Sequence, residues 1–146
     1  MGEVKRVGVL HFIPFVGAGA AIGTLLRALI EGAFPPEPGQ WPWATFWINI
    51  VGSLALGFLL EFLTLGGEDS GWRRTVRLGI GTGVIGGFTT YSTFVLEIDK
   101  VAHAGQIPLA SLYAIVSILL GVATAYFGLV LADLRHRATL ARGAEK

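Results

Sequence analysis

Three residues of one apolar stretch, Thr45, Asn49 and Ser53, recur at every fourth position, which sets them on one face of a helix. They are neutral hydrogen-bonding groups. They could hand a small polar solute from one bond to the next, or they could bond across to a neighbouring helix. For the two hydroxyls both readings stay open. For Asn49 transport chemistry is the stronger reading, because a buried amide costs more and makes more bonds. A second apolar stretch repeats the spacing with Tyr113, Ser117 and Gly121, and Thr124 stands seven beyond Ser117. Two hydroxylated stripes on two segments point to a shared polar path.

A third stretch has a different character. Gly79, Gly81, Gly83, Gly86 and Gly87 fall within nine residues, and Thr89, Thr90, Ser92 and Thr93 follow. Each glycine costs a helix about 1 kcal/mol relative to alanine, and the hydroxyls compete for backbone bonds. The sequence therefore predicts a helix broken near Gly86–Thr89, against the alternative of an unbroken helix with a glycine packing face. Carbonyls freed in apolar surroundings must be buried in protein or bound to something, and broken membrane helices commonly use them to hold Na⁺. In the first stretch, Gly19 and Gly23 form a close-packing pair. Arg27 beyond them either reaches the surface or faces inward and attracts anions. No enzyme constellation is visible. His11, His103 and His136 lie on three segments without metal-ligand spacing, there is no cysteine, and neither Ser92 nor Ser117 has an identifiable base. Glu61 and Glu97 fall near predicted helix ends and suggest no proton relay.

The elements that must position these groups follow from composition. Of 146 residues, 53% are hydrophobic and only 14% charged, against about 25% charged in soluble domains. Mean hydropathy is +0.65. A net charge of +1 gives no general field for nucleic acid. Four segments reach the roughly 20 residues that a bilayer requires, over about 9–30, 44–65, 78–103 and 109–131, with a short basic tail at 132–146. The loop Pro35-Pro36-Glu37-Pro38-Gly39 breaks any helix, and Trp41, Trp43 and Trp47 after it suit a membrane surface. The expected fold is an all-α membrane protein of four transmembrane helices, the third broken at mid-membrane. A cleaved leader is the weaker reading of the N-terminus, since the apolar run continues to Ile30. In this topology Lys5, Arg6, Arg73, Arg74, Arg77, Arg135, Arg137, Arg142 and Lys146 share one side, with Arg27 and Lys100 on the other. That bias places both termini in the cytoplasm of a cell-membrane protein.

The strings GAGAAIGTLLR (17–27), FWINIVGSLALGF (46–58) and GIGTGVIGGFTTYSTFVLE (79–97) resemble the Fluc/CrcB family of small fluoride channels. The resemblance covers about residues 17–124. It implies a passive, selective F⁻ channel that lowers cytoplasmic fluoride, built as an antiparallel dimer with two pores. It also implies a structural Na⁺ on the dimer axis, held by backbone carbonyls that match Gly86 and Thr89. The family's pore asparagine matches Asn49, its pore aromatics match Tyr91 and Phe94, and its hydroxyl positions match Thr45, Thr93, Tyr113 and Ser117. Tyr91 stands where phenylalanine is more usual, and Gly121 where a hydroxyl is common. Arg27 is placed on the fluoride pathway with them. The one-sided charge leaves two partners open for the second subunit, the chain itself or an oppositely oriented paralogue. Two other classes compete: an H⁺-driven four-helix exporter, which would use a carboxylate in the first segment that is missing between Val9 and Ile30, and a non-conducting membrane scaffold.

Overall fold

The computed structural model describes residues 10–144. The predicted start at Val9 and the basic residues Lys5, Arg6 and Lys146 lie outside them. The chain forms α1 (Ile13–Ala33), α2 (Trp43–Leu65), α3 (Gly71–Val76), a π-helix (Arg77–Ile85), α4 (Gly86–Phe88), α5 (Ser92–His103) and α6 (Ile107–Ala144). No strand occurs among the described residues. Pro14 and Pro108 sit in the first turns of α1 and α6, where a missing amide proton is no loss. Gly105, at φ +81°, lets the chain reverse from α5 into α6 across three residues.

Glycines decide the packing. Lipid tails give helices no hydrophobic reason to associate, so close approach of backbones must supply the contact. α1 lies against the π-helix and α4: Gly19 faces Gly83, and Gly23 faces Val84 and Phe88. α2 lies against α6, with Ser53 beside Gly121 and Gly57 on Ala125. In both pairs residue numbers rise together, so partners run parallel, as alternate helices of an up-and-down bundle must. Phe46, Ile50, Phe94 and Tyr113 form the buried core, with Trp41 packed on it. Large apolar side chains such as Leu25, Leu29, Ile115 and Leu119 remain more than half exposed, the arrangement expected where lipid is the solvent.

Two segment ends differ from the hydropathy reading. The third segment starts at Gly71 rather than near Leu78. The fourth continues through the basic tail to Ala144, a helix of 38 residues. Apolar length reports where a bilayer ends, not where a helix does. Ala132, Leu134, Ala138 and Leu140 are strong helix formers, and Arg137 pairs with Asp133 one turn back at 2.9 Å.

Candidate functional site

Between α2, the α4–α5 junction and α6 lies a cavity of 570 Å³, whose walls include Asn49, Gly86, Thr89, Tyr91, Phe94 and Ser117. The junction shapes it. Thr89 is extended, with ψ 156°, and helix resumes at Ser92. The Thr90 N–H, helical partner of the Gly86 carbonyl, donates instead to Asn49 Oδ1 at 2.9 Å. Asn49 Nδ2 returns a bond of 2.9 Å to the Thr90 carbonyl. One amide thus clamps Thr90 through its own N–H and C=O, which belong to two successive peptide groups, and keeps its second N–H for the cavity. The Thr93 N–H, helical partner of the Thr89 carbonyl, is taken by Thr90 Oγ1 at 3.1 Å. Ser117 Oγ is buried and has no bond among the described residues. Phe94 is buried, while Tyr91 beside it is 79% exposed, ring centres 6.4 Å apart.

The other residues singled out in the sequence fall into two further groups. Arg27 points inward rather than to the surface: Nε donates to the Gly87 carbonyl at 3.3 Å and Nη1 to Thr93 Oγ1 at 3.2 Å. Thr24 reaches the same carbonyl at 3.4 Å. The carbonyl of Gly87 is thereby partnered where the helix no longer supplies an amide. Thr45 and Tyr113 meet at the opposite end of Phe94. Their hydroxyls donate to the two carboxyl oxygens of Glu97, at 2.7 Å and 3.0 Å. Thr45 and Tyr113 are wholly buried and Glu97 is 5% exposed. Trp41 closes over this trio, edge-on to Tyr113 at 5.2 Å, and Phe94 flanks Tyr113 at the same distance.

Glu97 is the residue that sequence reasoning passed over. Its position near a predicted helix end points to no proton relay and gives no sign of burial. The signal available was the level of Thr45 and Tyr113, each heading a polar stripe, with Glu97 one turn beyond Thr93. We expect Glu97→Ala to lower stability by about 2–6 kcal/mol, since two buried hydroxyls lose their acceptor at roughly 1–3 kcal/mol each. Thermal unfolding in detergent measures this. A melting temperature equal to wild type would mean that water replaces the carboxyl.

α1, α2 and α6 are each long and apolar enough to cross a membrane. An all-helical bundle of this kind, with polar side chains gathered on inner faces, is a multi-pass membrane protein. The chain belongs to the CrcB family: residues 14–129 match the family described as CrcB-like protein, Camphor Resistance (CrcB). It is 41% identical over 125 residues to a protein of Cutibacterium acnes named Fluoride-specific ion channel FluC 1, with 86% of each chain covered. It is 45% identical over 116 residues to Fluoride-specific ion channel FluC 2 of Leifsonia xyli, covering 80% of this chain and 79% of the other. A Fluoride-specific ion channel FluC of Hyphomonas neptunium is 45% identical over 118 residues, covering 80% and 91%.

Proposed function

We propose that this protein is a passive fluoride-selective channel, not an enzyme, that lets F⁻ leave the cell and so lowers cytoplasmic fluoride. The observation that carries the reading is the cavity in which the second Asn49 N–H and the Ser117 hydroxyl have no partner among the described residues, beside the ring of Phe94. The names of the relatives agree with it. Fluoride is a small, strongly hydrated acceptor, and a pore must replace its water with donors that do not trap it. Neutral N–H and O–H groups meet that need. The positively polarised edge of an aromatic ring adds attraction without a full charge. Thr93 extends the track at one end, where Arg27 contributes positive charge, and Thr45 and Tyr113 bound it at the other, with their hydroxyl protons committed to Glu97.

The functional unit on this reading is an antiparallel dimer with the third helix broken at membrane depth. The second subunit is another copy or an oppositely oriented paralogue. The Gly86 and Thr89 carbonyls, deprived of their helical amides, are hard oxygen donors that fit Na⁺. Bound there, the ion would supply the positive charge that balances the freed carbonyl dipoles. Those two residues would hold it, joined by the same pair from the second subunit. Replacing Na⁺ with N-methylglucamine is expected to weaken dimer assembly or flux; no change in either would remove the cation from the reading.

Fluoride efflux from liposomes without a pH gradient tests the function. Efflux is expected. The buried carboxyl of Glu97 favours the second reading, a proton-coupled exporter, and strict coupling of F⁻ to H⁺ movement would establish that instead. Phe94→Ile keeps the bulk but removes the ring edge, so flux should fall with little loss of stability; full activity would discard the aromatic role. Tyr91→Phe should conduct normally, whereas a silent variant would assign function to the Tyr91 hydroxyl.

A further inference from the structure

A second polar cavity lies at the other end of α2, away from Glu97. It measures 220 Å³, between the last turns of α2, the Gly66–Ser70 turn and the start of the third segment. Leu60 and Leu63 form its apolar wall, and Asp69, Arg73 and Arg77 its polar one. The two arginines are used differently. Arg77 makes a two-point bond to Asp69, at 3.0 Å and 2.7 Å. Hydrogen bonding to Arg77 also holds the Asp69 carboxyl below the usual carboxylate range. Arg73 has neither an ion pair nor a hydrogen bond among the described residues. Its guanidinium is nonetheless placed: it lies over Gly66 and Gly67, where an added Cβ would come within 2.9 Å of Nε and 3.1 Å of Nη1. It also lies 5.3 Å from the ring centre of Trp72, which is 59% exposed. A planar fork held by a glycine turn, with its donors unused, matches the geometry of a phosphate.

We propose that this cavity binds the phosphate of an anionic phospholipid headgroup. Arg73 takes the phosphate, Trp72 lies at headgroup level as interfacial tryptophans do, and Leu60 and Leu63 meet the glycerol end of the acyl chains. The apolar wall selects a lipid over free phosphate, because inorganic phosphate gains nothing from two leucines. Asp69 sets the strength of the site. By occupying Arg77 it keeps a second guanidinium from the ligand and adds a repelling charge.

Native mass spectrometry of the full chain, released from bilayers of phosphatidylglycerol and phosphatidylcholine, reads the retained lipid directly. Wild type should retain phosphatidylglycerol in preference to phosphatidylcholine. Arg73→Ala should weaken that retention about fivefold, the effect of one arginine at an anionic surface. Gly66→Ala keeps every charge but displaces the fork, and should weaken retention similarly. Asp69→Asn frees Arg77 and should strengthen it severalfold. Thermal unfolding identifies any variant that fails to fold; if Arg73→Ala fails, Gly66→Ala and Asp69→Asn decide. Equal retention of the two lipids, or retention unmoved by Gly66→Ala and Asp69→Asn, would overturn the site. Displacement of the lipid by millimolar inorganic phosphate would overturn the lipid as its ligand.

Discussion

Asn49→Ala is expected to reduce fluoride efflux about 10- to 100-fold while the protein still folds. A hydrogen bond to a charged partner contributes about 1.5–3 kcal/mol, and each 1.4 kcal/mol is roughly a tenfold change in rate. The loss has two sources. The cavity loses its amide donor, and the Thr90 N–H and C=O lose the two bonds that fix the α4–α5 junction. The second loss costs stability too, about 1 kcal/mol per bond, which should lower the melting temperature without abolishing assembly. Asn49→Ser returns a hydroxyl that is too short to reach both the N–H and the C=O of Thr90, so it should remain slow. Liposome efflux and size-exclusion chromatography on both variants check this. Near-normal efflux in either would reduce the α2 stripe to helix packing.

Gly23→Ala should do the largest structural damage for the smallest change. A Cβ there runs into the Val84 carbonyl and crowds the Phe88 amide, backbone against backbone, so α1 must move. Overpacking of this kind costs about 1–3 kcal/mol. Arg27 is one turn further along α1, and the shift would draw it away from Gly87 and Thr93, so flux should fall together with stability. Gly17→Ala is the contrast. Nothing lies within 4 Å of its added methyl, and alanine should stabilise the helix by up to about 1 kcal/mol. Thermal unfolding of the pair measures the difference. Equal melting temperatures would show that α1 and the π-helix do not pack through Gly23.

Much of the framework was legible because a bilayer punishes departures from simple rules. Apolar length marked α1 and α2 to within a few residues at the ends described, and an amide among leucines and isoleucines marked Asn49. What lay hidden was pairing across distance. Asn49 and Thr90 are 41 positions apart, and nothing in either string says that one clamps the other. Glu97 is hard to read for the same reason: its burial is imposed by Thr45 and Tyr113 from two other helices and by Trp41 from the loop before α2. The π-helix was also out of reach. Glycine runs announce weak α-helix, but a wider coil is chosen by the neighbour, here α1 pressed against Gly83 and Gly87. The fourth helix outruns its apolar stretch because hydropathy and helix propensity part company once the chain leaves lipid.

That long helix has a practical use. At about 1.5 Å per residue, its 38 residues extend some 57 Å, against the roughly 30 Å of hydrocarbon they need to cross. The excess is a stiff rod continuous with the bundle. A compact domain joined in helical register near Ala138 would be carried at a fixed angle rather than on a tether. It would give a small protein, nearly featureless to electron microscopy, a rigid marker for aligning particle images, and the face from which the rod emerges would report how each subunit sits in the membrane.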